Sequence, residues 1–169
     1  MKDNLQKEYS VIVKDILSNA DFAKMADIEH HNSTRLDHMM KVSYYSYVVA
    51  KGLKLKYREV ARAGLLHDFY FGRTTDHDKV KDKIKLYTHA HPKEALNNAR
   101  KYFEINAMEA DIIESHMFPI DIKIPRYLES WIVSTVDKVV ATQEFYRKAS
   151  KKLKYSLNLG LILVLNVLK

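Results

Sequence analysis

The segment Gly64-Leu65-Leu66-His67-Asp68 constrains the fold more than any other part of the sequence, because it ends an apolar run with two adjacent polar side chains. Histidine and aspartate are costly to bury unless each has a hydrogen-bonding or charged partner. A bound metal ion would be such a partner. Further candidate ligands, each in a different predicted helix, are His38, His91, His116 and Asp137. A helical bundle can gather inward-facing residues of this kind, so the sequence predicts a buried site shared by several helices.

Composition favours an all-α, single-domain protein. The 169 residues include only four glycines and three prolines, which leaves little for the turns of a β-sandwich. A chain of this length can bury a substantial core as one domain. Because the chain has no cysteine, any metal would bind to nitrogen and oxygen ligands, which suits iron, manganese, zinc, cobalt or magnesium.

The charge of the chain suits an anionic partner. The net charge is +7, and nucleotides, nucleic acids and anionic lipids all carry the opposite sign. The alternative is an ordinary solvated helical surface. Charged residues interrupt the N-terminus before an apolar signal segment can form, so we expect a cytoplasmic protein.

The spacing of apolar residues predicts a series of helices and no strand. The predicted ranges are about 4–17, 20–30, 34–51, 56–67, 91–103, 106–116 and 127–143. Ser33 is the expected N-cap of the third helix, Gly52 its end, and His91-Pro92 the start of the fifth. Residues 69–88 form a long connection with a short helix at about 77–86. Its aromatic part, Phe69-Tyr70-Phe71, either lines a pocket or packs in the core.

Three parts are expected along the chain: an N-terminal helical segment (1–32), a core (33–142), and a basic and then apolar C-terminal helix (143–169). The apolar stretch of the last part is about twelve residues long, which is shorter than the roughly 20 residues needed to span a membrane. Basic residues precede it, an arrangement that suits peripheral membrane contact through residues 147–168. The favoured alternative is a helix that covers the core or the partner in a homodimer.

The order and contexts of the candidate ligands resemble the HD-domain superfamily of metal-dependent phosphohydrolases, over residues 33–142. The matching contexts are Arg35-Leu36-Asp37-His38, Ala63-Gly64-Leu65-Leu66-His67-Asp68, His91-Pro92-Lys93-Glu94-Ala95, Ser115-His116 and Val136-Asp137-Lys138. The resemblance implies an all-α bundle of five core helices. It also implies a first metal held by His38, His67, Asp68 and Asp137, and a second held by His91 and His116, with Asp68 bridging the two. Each residue alone could be an ordinary core, capping or surface side chain; their convergence carries the interpretation.

The function implied by the resemblance is cleavage of a nucleotide or another small phosphate ester by a metal-bound hydroxide. His67 and Asp68 would take the central catalytic roles as metal ligands, with no need for a side-chain nucleophile. The cofactors would be two divalent ions, iron, manganese or another first-row metal, with magnesium also compatible. Candidates for contact with the substrate phosphate are Arg35, Arg73 and Lys138, and ordinary surface charge is the alternative for each. No specific binding of nucleic acid is expected.

Several alternatives remain within this interpretation. His89 is the rival of His91 as a ligand, whereas His30, His31 and His77 match no position of the motif. The absence of a Gly-Tyr-Pro signature argues against a cyclic-dinucleotide phosphodiesterase, and the chain is too short for the large nucleotide triphosphohydrolases. The subgroup it most resembles is that of small bacterial HD hydrolases, including diadenosine-tetraphosphate hydrolases. The other functions to consider are a di-iron oxygenase on the same scaffold and a non-catalytic, metal-stabilised binding module.

Overall fold

Helices make up about three quarters of the chain described by the computed structural model, which covers residues 2–30, 33–72 and 82–167. In chain order the elements are α1 (Lys2–Ile12), α2 (Lys14–Leu17), α3 (Ala20–Ala23), a 3-10 helix (Lys24–Asp27), β1 (Glu29–His30), β2 (Ser33–Thr34), α4 (Arg35–Gly52), α5 (Tyr57–Leu66), α6 (Asp82–Tyr102), α7 (Ala107–Ser115) and α8 (Leu128–Val167). The prediction of an all-α bundle is confirmed. The two short strands, which the sequence did not predict, form one antiparallel pair with Glu29 opposite Thr34.

Helix α4 begins one residue later than expected. Thr34, rather than the predicted Ser33, is its N-cap, because the acidic residue three positions on completes a capping box. The Thr34 hydroxyl accepts from the Asp37 N–H at 3.1 Å, and the Asp37 carboxylate accepts from the Thr34 N–H at 3.2 Å. The helix ends at Gly52 as predicted, although the residue with left-handed backbone in the following turn is Lys54, with φ 58°.

The predicted helix start at His91-Pro92 is wrong. Pro92 lies inside α6, which is already helical from Asp82. An interior proline gives up one backbone hydrogen bond, so the sequence rule favours the first helical position, but packing of the surrounding helix overrides it here. Of the expected short helix at about 77–86, residues 82–86 belong to α6 and the remainder lies outside the described residues.

The helix predicted at 127–143 and the apolar C-terminal stretch form one helix, α8. The side chains of residues 151–167 lie outside the described part of the structure. Membrane contact and core cover therefore both stay predictions for this stretch. Within the described parts of the chain, no helix is long and apolar enough to cross a membrane.

The core lies between α4 and α5, with α7 and α8 packed against them and α6 against α7. The N-terminal segment belongs to the same apolar cluster, to which it contributes Val13, Ile16, Phe22 and Met25, all fully buried. The three-part division of the sequence stays a prediction. Its first part nevertheless packs directly onto the helices that carry the candidate ligands.

Candidate metal centre

The structure brings all of the predicted metal ligands to one place in the core. Three overlapping groups of donor atoms form there, each with its atoms within 4.8 Å of one another. The groups are His38, His67 and Asp68; His67, His116 and Asp137; and Asp68, His91 and His116. All of these side chains are buried. Each of the five helices α4 to α8, or the turn directly after it, contributes at least one of these residues. The site therefore depends on the packing of the whole bundle.

Two of the histidines are oriented by the ends of their own helices. His67 follows α5 directly and donates from Nδ1 to the carbonyl of Gly64 at 2.8 Å. His116 follows α7 in the same way and donates from Nδ1 to the carbonyl of Ile113 at 2.7 Å. The last carbonyls of a helix lack intrahelical partners, so an imidazole at this position satisfies one of them. The same contact turns Nε2 of each ring towards the cluster.

Nε2 of His67 is the nitrogen of this ring that is suited to bind a metal. Burial lowers its pKa to about 4, so the ring is neutral at pH 7. Its Nε2 has no hydrogen-bond partner among the described residues, and it lies 3.8 Å both from Asp68 Oδ2 and from Asp137 Oδ1. Two donors that share one ion at about 2.1 Å lie roughly 3.0–3.5 Å apart. The atoms around His67 therefore fit an ion with only a small inward shift.

Asp68 faces the cluster in two directions. Its Oδ2 is on the side of His67, whereas Oδ1 lies 3.6 Å from Nε2 of His91 and 3.5 Å from Nε2 of His116. No described residue forms a hydrogen bond with Oδ1, although it is buried. Burial acts to raise the pKa of Asp68, but the neighbouring imidazoles outweigh it and hold that pKa well below its usual range. Asp68 is thus an ionised carboxylate, with His67 on the side of one oxygen and both His91 and His116 on the side of the other.

His38 lies between two carboxylates from α8. Its Nε2 is 3.0 Å from Asp137 Oδ1, and its Nδ1 is 3.0 Å from Glu144 Oε2. Burial alone would lower the pKa of His38, but these two hydrogen bonds raise it to about 10. The other oxygen of Glu144 accepts from Nζ of Lys41 at 2.6 Å.

Glu144 is the functional candidate that sequence reasoning missed. It follows Asp137 by seven residues on α8, so the two carboxylates lie on the same face of the helix. That spacing was the available signal. Glu144 lies beyond the residues that carry the family motif, so the motif does not point to it.

Of the predicted phosphate-binding residues, Arg35 has an environment that differs from the expectation. Its side chain is fully buried, and its guanidinium donates to the carbonyls of Tyr70 and of Gly72, the latter at 2.8 Å. The guanidinium also lies 3.8 Å above the ring of Tyr70. Arg35 therefore anchors the chain that follows the His-Asp pair, instead of presenting its charge to a substrate.

Lys138 lies at the edge of the cluster. Its ammonium donates to the carbonyl of His116 and is 3.3 Å from Asp137 Oδ2, while 30% of the side chain stays exposed. Burial lowers the pKa of Lys138, and Asp137 acts in the opposite direction. Lys138 also forms part of the wall of an apolar groove of about 590 Å³, which includes Phe118, Trp131 and Val139.

The aromatic residues after the His-Asp pair divide between the two expected roles. Phe69 is fully buried in the core, Tyr70 lies against His91 with 5.1 Å between ring centres, and Phe71 is 41% exposed. The remaining predicted residues, Arg73, His31 and His77, and the side chains of His30 and His89, lie outside the described parts of the protein.

The fold and the cluster define a helical-bundle protein with a buried histidine and aspartate centre that can hold divalent metal. The family model of the HD domain matches residues 35–142, and the chain belongs to this family. The resemblance drawn from the sequence is thereby confirmed. Most HD-domain proteins are metal-dependent phosphohydrolases, which supports an enzymatic role in general terms. No curated protein and no solved structure gave a significant match.

Proposed function

We propose that this protein is a two-metal phosphohydrolase that acts on a nucleotide or another small phosphate ester. The observation that carries the proposal is the position of Asp68, whose Oδ2 lies on the side of His67 and whose Oδ1 lies on the side of His91 and His116. A single carboxylate with imidazole nitrogens on both sides suits a pair of neighbouring divalent ions.

The ligands divide into two sets under this proposal. The first ion would be held by His38, His67, Asp68 and Asp137, and the second by Asp68, His91 and His116. Two carboxylates against two divalent ions leave an excess of two positive charges, which favours an anionic substrate. When bound, such ions polarise a phosphoryl oxygen and lower the pKa of coordinated water to near neutrality.

The other residues of the site would position the substrate. Lys138 offers an ammonium group next to Asp137, where it can donate to a phosphate oxygen without leaving the cluster. The groove beyond Lys138 is apolar and large enough for the organic part of a small ester. Trp131, which is 42% exposed there and meets Phe118 edge to face, provides an aromatic surface for stacking.

The test is phosphate release from a panel of nucleotides and simple esters, measured without oxygen and with added Fe²⁺, Mn²⁺ or Mg²⁺. We expect release that requires metal, is lost in Asp68→Ala together with both ions, and is retained in the control Asp15→Ala. Asp15 is 53% exposed and pairs with Arg62 on the surface, so its removal controls for the loss of a carboxylate.

Other results would redirect the proposal. Two bound metals with no phosphate release but with substrate-dependent oxygen consumption would replace it by the di-iron oxygenase. Bound metal with neither reaction on any substrate would replace it by the binding module.

A further inference from the structure

Three of the four histidines of the candidate metal centre are held in two different ways. His67 and His116 stand at helix C-termini and use the unpaired carbonyls of their own helices. His38 stands in the second turn of α4, where the preceding carbonyls are used by the helix itself. Its ring therefore needs a partner from elsewhere in the fold.

That partner is Glu144 on α8, at 3.0 Å from Nδ1 of His38. The carboxylate is 7% exposed and belongs to none of the donor groups that the described residues form, so it is placed to act on His38 and not as a ligand itself. Lys41, one turn further along α4 than His38, holds the second oxygen at 2.6 Å. Both oxygens of Glu144 are thus paired, as a buried carboxylate requires.

We propose that Glu144, fixed by Lys41, is a positioning residue that aims Nε2 of His38 at the first metal. A carboxylate that accepts the Nδ1 proton of a metal-bound histidine sets the tautomer, fixes the plane of the ring and makes the other nitrogen a stronger ligand. Partners of this kind are typically worth 10- to 100-fold in metal affinity. The inference rests on the metal centre of the proposed function and not on its reaction.

Zinc affinity, measured by competition with a chromogenic chelator, tests the role directly because it needs no substrate. We expect Glu144→Gln to weaken one of two Zn²⁺ sites by about 10- to 100-fold and to leave the other at its wild-type affinity. The matched control is Glu129→Gln, on the same helix. Glu129 is also buried, but it lies in the first turn of α8, about two turns before Asp137, and accepts from the backbone N–H of Lys56. This control should leave both Zn²⁺ affinities unchanged.

A double-mutant cycle separates positioning from a general structural effect. If Glu144 acts through His38, then Glu144→Gln should cause no further loss of Zn²⁺ affinity in a His38→Ala background. An equal loss in both backgrounds, or wild-type affinities in Glu144→Gln, would overturn the inference. A wild-type protein that binds no Zn²⁺ would refute the metal centre itself, whereas two Zn²⁺ sites without hydrolysis would refute only the proposed reaction.

Discussion

Gly64 determines how closely α5 approaches α4, one turn before the His-Asp pair. A Cβ at position 64 would lie 3.1 Å from Cα of Ser43, a backbone atom that cannot rotate away. The contact is reinforced by Ser43, whose hydroxyl donates to the carbonyl of Ala61 at 2.6 Å and accepts from the hydroxyl of Tyr9 at 2.8 Å. The small residues that the sequence places before His67 therefore set the distance between the two helices of the core.

Gly64→Ala should lower the free energy of unfolding by about 1–3 kcal/mol, because the added methyl group forces the helices apart. Gly52→Ala is the matched control. No atom lies within 4 Å of an added Cβ at position 52, so this change should be neutral or should stabilise by up to about 1 kcal/mol. Urea unfolding of both variants measures the difference, and equal effects would show that α4 and α5 are not in close contact at Gly64.

Tyr9 should make the stability of the protein sensitive to alkaline pH. Burial raises its pKa to about 12, against an ordinary value of 10, although the hydrogen bond to Ser43 acts in the opposite direction. The folded state thus favours the protonated phenol. This contribution to stability is complete below pH 10 and is lost as the pH rises through about 12. Wild-type stability should fall more steeply than that of Tyr9→Phe between these values in urea titrations; parallel curves would contradict the assignment.

At the scale of elements, Asp111 joins α7 to the start of α8. Its Oδ2 accepts from the backbone N–H of Arg126 at 3.0 Å and from the hydroxyl of Ser130 at 2.7 Å, while Oδ1 accepts from Nε of Arg126 at 2.8 Å. Burial acts to raise the pKa of Asp111, but these hydrogen bonds outweigh it and lower that pKa. Because α7 leads to His116 and α8 carries Asp137, this junction helps to set the distance between two candidate ligands.

Asp111→Asn should therefore destabilise the protein by about 1.5–3 kcal/mol, the range for hydrogen bonds to a charged group. The asparagine side chain keeps one oxygen as an acceptor. Its NH₂ group replaces the other oxygen and would point at N–H or O–H groups that are themselves donors. Asp15→Asn, at an exposed ion pair, should stay within about 0.5 kcal/mol of the wild type in the same unfolding experiment. A similar value for both would mean that the junction contributes nothing beyond surface charge.

The elements also show what the sequence could and could not predict. Apolar periodicity predicts α4, α5 and α7 closely, and residue type together with helix position predicts the candidate ligands that the structure brings together. Pro92 was misread because the preference of proline for a helix start is a local rule that tertiary packing can override. The partners of Arg35 and Glu144 were missed for another reason. Both are long-range contacts, and sequence spacing gives the face of a helix but not the residue on the opposite helix.

At the scale of the whole molecule, the candidate metal centre destabilises the fold when no ion is bound. Nε2 of His67 and Oδ1 of Asp68 are buried without hydrogen bonds from the described residues, and such groups typically cost about 1–3 kcal/mol each. The apolar cluster that spans α1 to α8 must offset this cost. Ions that bind only the folded state would remove it and add their own binding free energy.

Metal should consequently stabilise the entire bundle and not only the site. A single ion at 100 times its Kd contributes about 2.7 kcal/mol, and each kcal/mol corresponds to about 2–4 °C in a domain of this size. We therefore expect Mn²⁺ to raise the Tm by at least about 5 °C relative to protein in chelator, measured by calorimetry. Asp68→Ala should show almost none of this shift, whereas Asp15→Ala should show all of it. An undiminished shift in Asp68→Ala would show that the bound metal does not depend on Asp68, and it would contradict the assignment of this carboxylate to both ions.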